Sequence, residues 1–142
     1  MRTLVIDTAT RACSVALFDG KQLLAAQHEV IGRGHAERLL PLIAALPDHG
    51  KADQIMVDVG PGSFTGIRVG VAAAKALGLA WHIPVHGYGC LSLVAAMASR
   101  MTSRAGARGK LERDASTTRR SAFSLNATQA STAVNTDSKF SN

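Results

Sequence analysis

The amino-acid sequence predicts an α/β protein: a mixed sheet carrying helices, in the order β-β-β-α-β-α-β-α. Three observations point there. Short apolar runs separated by tight turns fill the first thirty residues. Two longer segments then show helical spacing, each followed by a short apolar run. A meander followed by strand–helix–strand units makes a mixed sheet, because a parallel neighbour needs a helical crossover.

TLVIDT (residues 3–8) reads as a buried strand ending on a carboxylate. ATRA (9–12) turns the chain, and CSVALF (13–18) is a second strand. Asp19-Gly20 is a hairpin signal, since a type I′ turn needs positive φ and glycine supplies it. QLLAAQHEV (22–30) runs back as a third strand, and IGRG (31–34) is a loop. HAERLLPLIAAL (35–46) has apolar residues at helical spacing, with Pro41 expected to kink the helix or mark its first turn. PDHGKAD (47–53) is a polar loop, QIMVDV (54–59) a strand, and a helix runs from the glycine-rich loop to about Trp81. PVHGY (84–88) reads as a short strand and LSLVAAMASR (91–100) as the start of a third helix.

After Arg100 the pattern stops. Residues 101–142 hold 13 Ser or Thr and few large apolar side chains. Such a segment buries too little to offset backbone ordering, about 1–2 kcal/mol per residue, and it reads as a disordered tail. The net charge of +6 is concentrated there, so the basic balance says little about nucleic-acid binding by the folded part. Two distant cysteines, Cys13 and Cys90, form no disulfide framework or zinc pattern. The apolar start is broken by Asp7 too soon for a targeting segment, and no uncharged run approaches the ~20 residues of a membrane span. A cytoplasmic protein without membrane contact is the expectation.

GPGSFTG (60–66) sits between a strand and a helix. A phosphate reading is open: backbone N–H groups and the helix N-terminus attract anions, with Ser63 and Thr65 offering hydroxyls or a cap. Two templates fail. Gly66 is followed by Ile67, not the lysine of a P-loop, and the glycines at 60, 62 and 66 are out of register for a dinucleotide fingerprint. The other reading is a tight strand-to-helix turn. Asp7, beside Thr8, invites a water-mediated magnesium ion or simply accepts turn N–H groups.

Gly66, Gly70, Ala74 and Gly78 recur every four residues and share a helix face. Interior Gly70 and Gly78 together cost about 2 kcal/mol relative to alanine, so a close neighbour must compensate. That neighbour is either the domain's own sheet or a helix of a second protein, with Arg68 and Lys75 at the rim. No histidine pair has metal-ligand spacing, since His35 has Leu39 four residues on.

The opening MRTLVIDTATRACSVALFDG, the middle HAERLLPLI and the string VDVGPGSFTGIRVGVAAAKALGLAW resemble the bacterial TsaB (YeaZ) family, in the glycoprotease-like branch of the actin-like ATPase superfamily. The resemblance covers about residues 1–98. It implies an actin-like (ribonuclease H-like) lobe over residues 1–100, with a five-stranded sheet and helices on both faces. It implies a non-catalytic subunit that binds the catalytic paralogue TsaD, alongside the ATPase TsaE, in transferring a threonylcarbamoyl group to an anticodon-loop adenosine. tRNA is then met only through the complex. The paralogue's His-x-x-x-His metal pair is broken here by Leu39. The resemblance places the partner interface on helices 35–46 and 64–80, through Leu39, Ile43, Gly66, Arg68, Gly70, Ala74 and Gly78, a surface that would equally serve a homodimer.

No cofactor is required by that role. An actin-like lobe also admits ATP or ADP with magnesium, at Asp7, Thr8, Gly60, Gly62, Ser63 and Thr65. Family members continue into a second lobe where this chain has its Ser/Thr/Arg-rich tail, which suggests a truncated or frameshifted reading frame. Two alternatives stand: a nucleotide hydrolase or glycoprotease-like peptidase in its own right, and an inactive truncated product.

Overall fold

The computed structural model describes residues 1–91. The third helix expected over 91–100 and the tail over 101–142 lie outside the described residues, apart from Leu91 itself. Within 1–91 the order is β1 (Arg2–Asp7), β2 (Ala12–Asp19), β3 (Gln22–Val30), α1 (His35–Ala44), β4 (Gln54–Asp58), α2 (Phe64–Trp81) and β5 (Val85–Tyr88), with a short 3₁₀ turn at Pro47–Gly50. The five strands form one sheet in the order β3-β2-β1-β4-β5. β1 pairs antiparallel with β2 and parallel with β4, and β4 pairs parallel with β5.

The meander forms for the reason the sequence offers, with one difference. The β2–β3 turn is centred on Gly20 and Lys21, since Asp19 pairs with Gln22. Only Gly20 has positive φ, at 55°. Glycine at the first central position alone is the pattern of a type II′ turn. α1 ends at Ala44, two residues short of the expected Leu46, and Pro41 sits inside it. Its missing N–H and ring are tolerated on an exposed helix face.

Period-two alternation divides the strands between the two sheet faces. One face carries Leu4 and Ile6 of β1, Cys13, Val15 and Leu17 of β2, and Ile55 and Val57 of β4. Both described helices pack on it, through Leu39, Leu42 and Ile43 of α1 and Ala74 of α2. The opposite face carries Val5, Ala16, Phe18 and Met56, with Tyr88 against them. A bidentate pair from Arg38 to Glu29, at 2.6–2.9 Å, ties α1 to the edge strand β3.

Candidate functional site

β1, β4 and β5 run parallel and end at Asp7, Asp58 and Tyr88. The crevice outside the carboxyl ends of such strands is where open α/β sheets bind ligands. Two loops leave from here: residues 8–11 after β1 and residues 59–63 after β4.

The loops lock together through close backbone approach. The Ser63 N–H donates to the Ala9 carbonyl at 2.7 Å, and the Thr8 hydroxyl donates to the Gly66 carbonyl at 2.7 Å. A Cβ at Gly62 would meet Ala9, one at Gly66 the Thr8 carbonyl, and one at Gly70 the Thr8 hydroxyl. A Cβ at Gly78 would strike Val85. The four-residue stripe is therefore a seat for the lobe's own β1 turn and β5. Gly66, Gly70, Ala74 and Gly78, expected at a partner interface, are all buried inside the lobe. Leu39 and Ile43 are buried in the same core. Of the seven residues expected at a partner interface, Arg68 alone is exposed.

The polar atoms of the loop are also largely engaged at home. The Ser63 hydroxyl caps α2 by accepting from the Gly66 N–H at 3.3 Å. The Gly60 N–H donates to Asp58 Oδ1 at 2.7 Å, and Gly60 holds φ at +99°, which a side chain would resist. Ser63, Thr65 and Gly66 line an open groove of about 800 Å³ with Arg11, Arg33 and His35, between the first turns of α1 and α2. Asp7, on the other face of the sheet, is not part of that groove.

On the face opposite the helices, the register sets a row of polar residues across all five strands. His28 pairs with Ser14, Ser14 with Asp7, and Asp58 with Tyr88. Ile6 pairs with Val57, so Asp7 and Asp58 are the next residues along that parallel ladder. The Ser14 hydroxyl and His28 Nδ1 are 2.7 Å apart. Burial pushes the Asp7 carboxyl above the usual range, against the Ala9 N–H and His35, which favour its charge. Burial and then Asp7 push Asp58 up as well, while the N–H groups of Gly60 and Cys90 pull the other way. The Tyr88 hydroxyl is raised by burial and by both carboxylates.

Asp58 and Tyr88 were not among the residues singled out from the sequence. The signal for Asp58 was present: a lone carboxylate inside the apolar run IMVDV. His35 makes no metal pair; its Nε2 lies 2.9 Å from the Thr10 carbonyl, and Leu39 is in the core. Among the described residues no three His, Cys, Asp or Glu side chains gather as a metal site. No described helix is long and apolar enough to cross a membrane.

A five-stranded mixed sheet in this order defines an actin-like, ribonuclease H-like lobe. Thermus thermophilus RuvC, in complex with a Holliday junction substrate, is similar in fold alone: TM-score 0.55 at 14% identity, covering 94% of both chains. Residues 24–106 match the family model described as TsaD: tRNA N6-adenosine threonylcarbamoyltransferase. The chain belongs to this family, and its named relatives within it are TsaB (YeaZ) proteins. It is 41% identical to the Escherichia coli tRNA threonylcarbamoyladenosine biosynthesis protein TsaB over 101 residues, covering 67% of this chain and 43% of that protein. Against YeaZ from Pseudomonas aeruginosa the identity is 36% and the TM-score 0.64, covering 72% of this chain and 50% of that one. The chain spans less than half the length of the curated TsaB relatives it matches.

Proposed function

We propose that this lobe serves the synthesis of threonylcarbamoyladenosine in tRNA as a non-catalytic subunit that docks the catalytic paralogue TsaD. The docking surface is the outward face of α2 with the adjoining part of α1. One observation carries the reading. The face of α2 turned away from the sheet leaves Phe64 73% and Leu79 78% exposed, with Ala72 and Ala76 exposed between them. Leu40 of α1 is 54% exposed. This face lies two residues, or about 200°, around the helix from the glycine stripe. Arg68 stacks over the Phe64 ring at 5.2 Å and Lys75 is exposed beside it, which gives the apolar ridge a basic rim.

Large apolar side chains held on one rigid helix face are the usual anchors of a protein interface. The relatives' names, tRNA threonylcarbamoyladenosine biosynthesis proteins, support a partner drawn from that synthesis; in this reading TsaE joins the pair and tRNA is met only through the complex. The role requires no nucleotide in the lobe. The test is retention of purified TsaD by the tagged chain, with Leu79→Asp as the disrupting variant. Retention that ignores this change removes α2 from the interface; a stable homodimer disrupted by the same change would make a second copy the occupant.

A further inference from the structure

We propose that the outward face of α2 selects an acidic partner surface, one that sets a row of carboxylates against Arg68, Lys75 and His82. The inference rests on the docking reading above and names the chemistry of its partner.

Arg68, Lys75 and His82 follow one another at intervals of seven residues. Seven residues fall about 20° short of two full turns, so the three stack along one side of α2, about 10 Å apart. Arg68 and Lys75 are the only charged residues in the 18 of α2, and both are exposed. His82 is the C-cap and holds φ at 54°, in the left-handed region where glycine is favoured. A side chain kept there, at a cost in backbone energy, carries the column past the last turn.

Neither cation is neutralised at home. Among the described residues the ion pairs join Met1 to Asp19, Arg2 to Asp48 and Arg38 to Glu29. Arg68 lies over the Phe64 ring instead. Lys75 and His82 share an open depression of about 530 Å³ with Gly78, Leu79, Ile83 and Val85, and no carboxylate lines it. Apolar walls under two basic groups fit a glutamate or aspartate side chain, with its stem on Leu79 and its carboxylate toward Lys75. The C-terminus of α2 adds about half a negative charge here, less than the full charge of Lys75. Its Gly78 and Leu79 carbonyls already accept the Ile83 and His82 N–H groups.

Carboxylates suit this face better than nucleic-acid phosphates. The basic column runs beside exposed Phe64, Ala72, Ala76 and Leu79, which a phosphate backbone would leave in water. Residues 1–91 are nearly balanced, with eight Lys or Arg against seven Asp or Glu, whereas nucleic-acid binders concentrate positive charge. An acidic protein surface with apolar anchors between its charges satisfies both halves of the face.

The experiment measures TsaD binding to the full chain by surface plasmon resonance at about 0.05 M and about 0.5 M salt. The proteins are the parent, Lys75→Glu, Lys75→Arg and Lys21→Glu, each shown to be folded by its thermal midpoint. Lys21 is exposed in the β2–β3 turn, away from α2, and its reversal makes the same change in net charge. The expected result is parent binding that weakens at least about fivefold at the higher salt, chiefly through slower association. At the lower salt Lys75→Glu should weaken binding at least about tenfold, while Lys75→Arg and Lys21→Glu stay within about twofold of the parent. TsaD binding that ignores both salt and Lys75→Glu would overturn the inference and leave the docking reading standing. Absence of binding by the folded parent at either salt would remove the docking reading, and the inference with it. tRNA alone is the third probe. If the chain binds it, and Lys75→Glu abolishes that binding while TsaD affinity is unchanged, phosphates are the occupant and the proposal is overturned.

Discussion

The Thr8 hydroxyl donates a buried hydrogen bond of 2.7 Å to the Gly66 carbonyl, and this contact sets the distance between β1 and α2. It requires glycine at 66 and 70, where any Cβ would enter the space of Thr8. Gly70→Leu should therefore unfold the lobe or cost several kcal/mol, at or beyond the ~1–3 kcal/mol typical of overpacking. Thr8→Val keeps the shape and loses the bond, for about 1 kcal/mol. Urea titration of the variants measures both. A folded, fully stable Gly70→Leu protein would return the stripe to the surface.

The outward face of α2 should behave oppositely. Leu79→Asp and Phe64→Asp change exposed positions, so stability should stay within about 0.5 kcal/mol of the parent. The same urea titration checks this. A large loss would show that these side chains are packed within the lobe.

How far the sequence carried the fold is visible in these two faces. Strand positions followed from apolar runs, and the Gly70–Gly78 spacing correctly demanded a close neighbour. It did not say which neighbour, because a smooth helix stripe fits a sheet and a foreign helix equally well. The answer lies in the β1 turn, where the Thr8 backbone and hydroxyl fill the glycine gaps. The polar row was less legible. Asp7 and Asp58 are 51 positions apart, and only parallel register brings them level. Nothing in the sequence marks Phe64 and Leu79 as exposed; they are so because Ala74 faces inward and turns them to the opposite side of α2.

Acid dependence follows from the carboxylate pair. Burial raises the folded-state pKa of Asp58 above its unfolded value, so its ionisation opposes folding at neutral pH. That penalty is absent below the unfolded value and grows as pH rises through the raised folded one. Asp58→Asn should melt higher than the parent near neutral pH. The gap should close as pH falls through the raised pKa of Asp58 toward the ordinary aspartate range. A gap independent of pH would rule out titration of Asp58 as its cause.

Cys13 offers a separate probe of the core. It is fully buried in β2, and burial pushes its thiol up to about 11. Thiolate is the reactive form, so Cys13 should resist a disulfide reagent at mildly alkaline pH until the lobe unfolds in denaturant. Mass-resolved labelling of each cysteine reads this directly. Rapid native labelling of Cys13 would contradict the packing of β2 beneath α1.

The most direct test of the docking account is the affinity of purified TsaD for this chain, measured by calorimetry for the parent, Leu79→Asp and Leu23→Asp. Leu23 is an exposed leucine on the edge strand β3, away from α2, and controls for general loss of apolar surface. The account predicts saturable binding that Leu79→Asp weakens by at least about 2 kcal/mol, the size of an interface hot spot, and that Leu23→Asp leaves unchanged. Equal affinity for the parent and Leu79→Asp, with both folded, would contradict it.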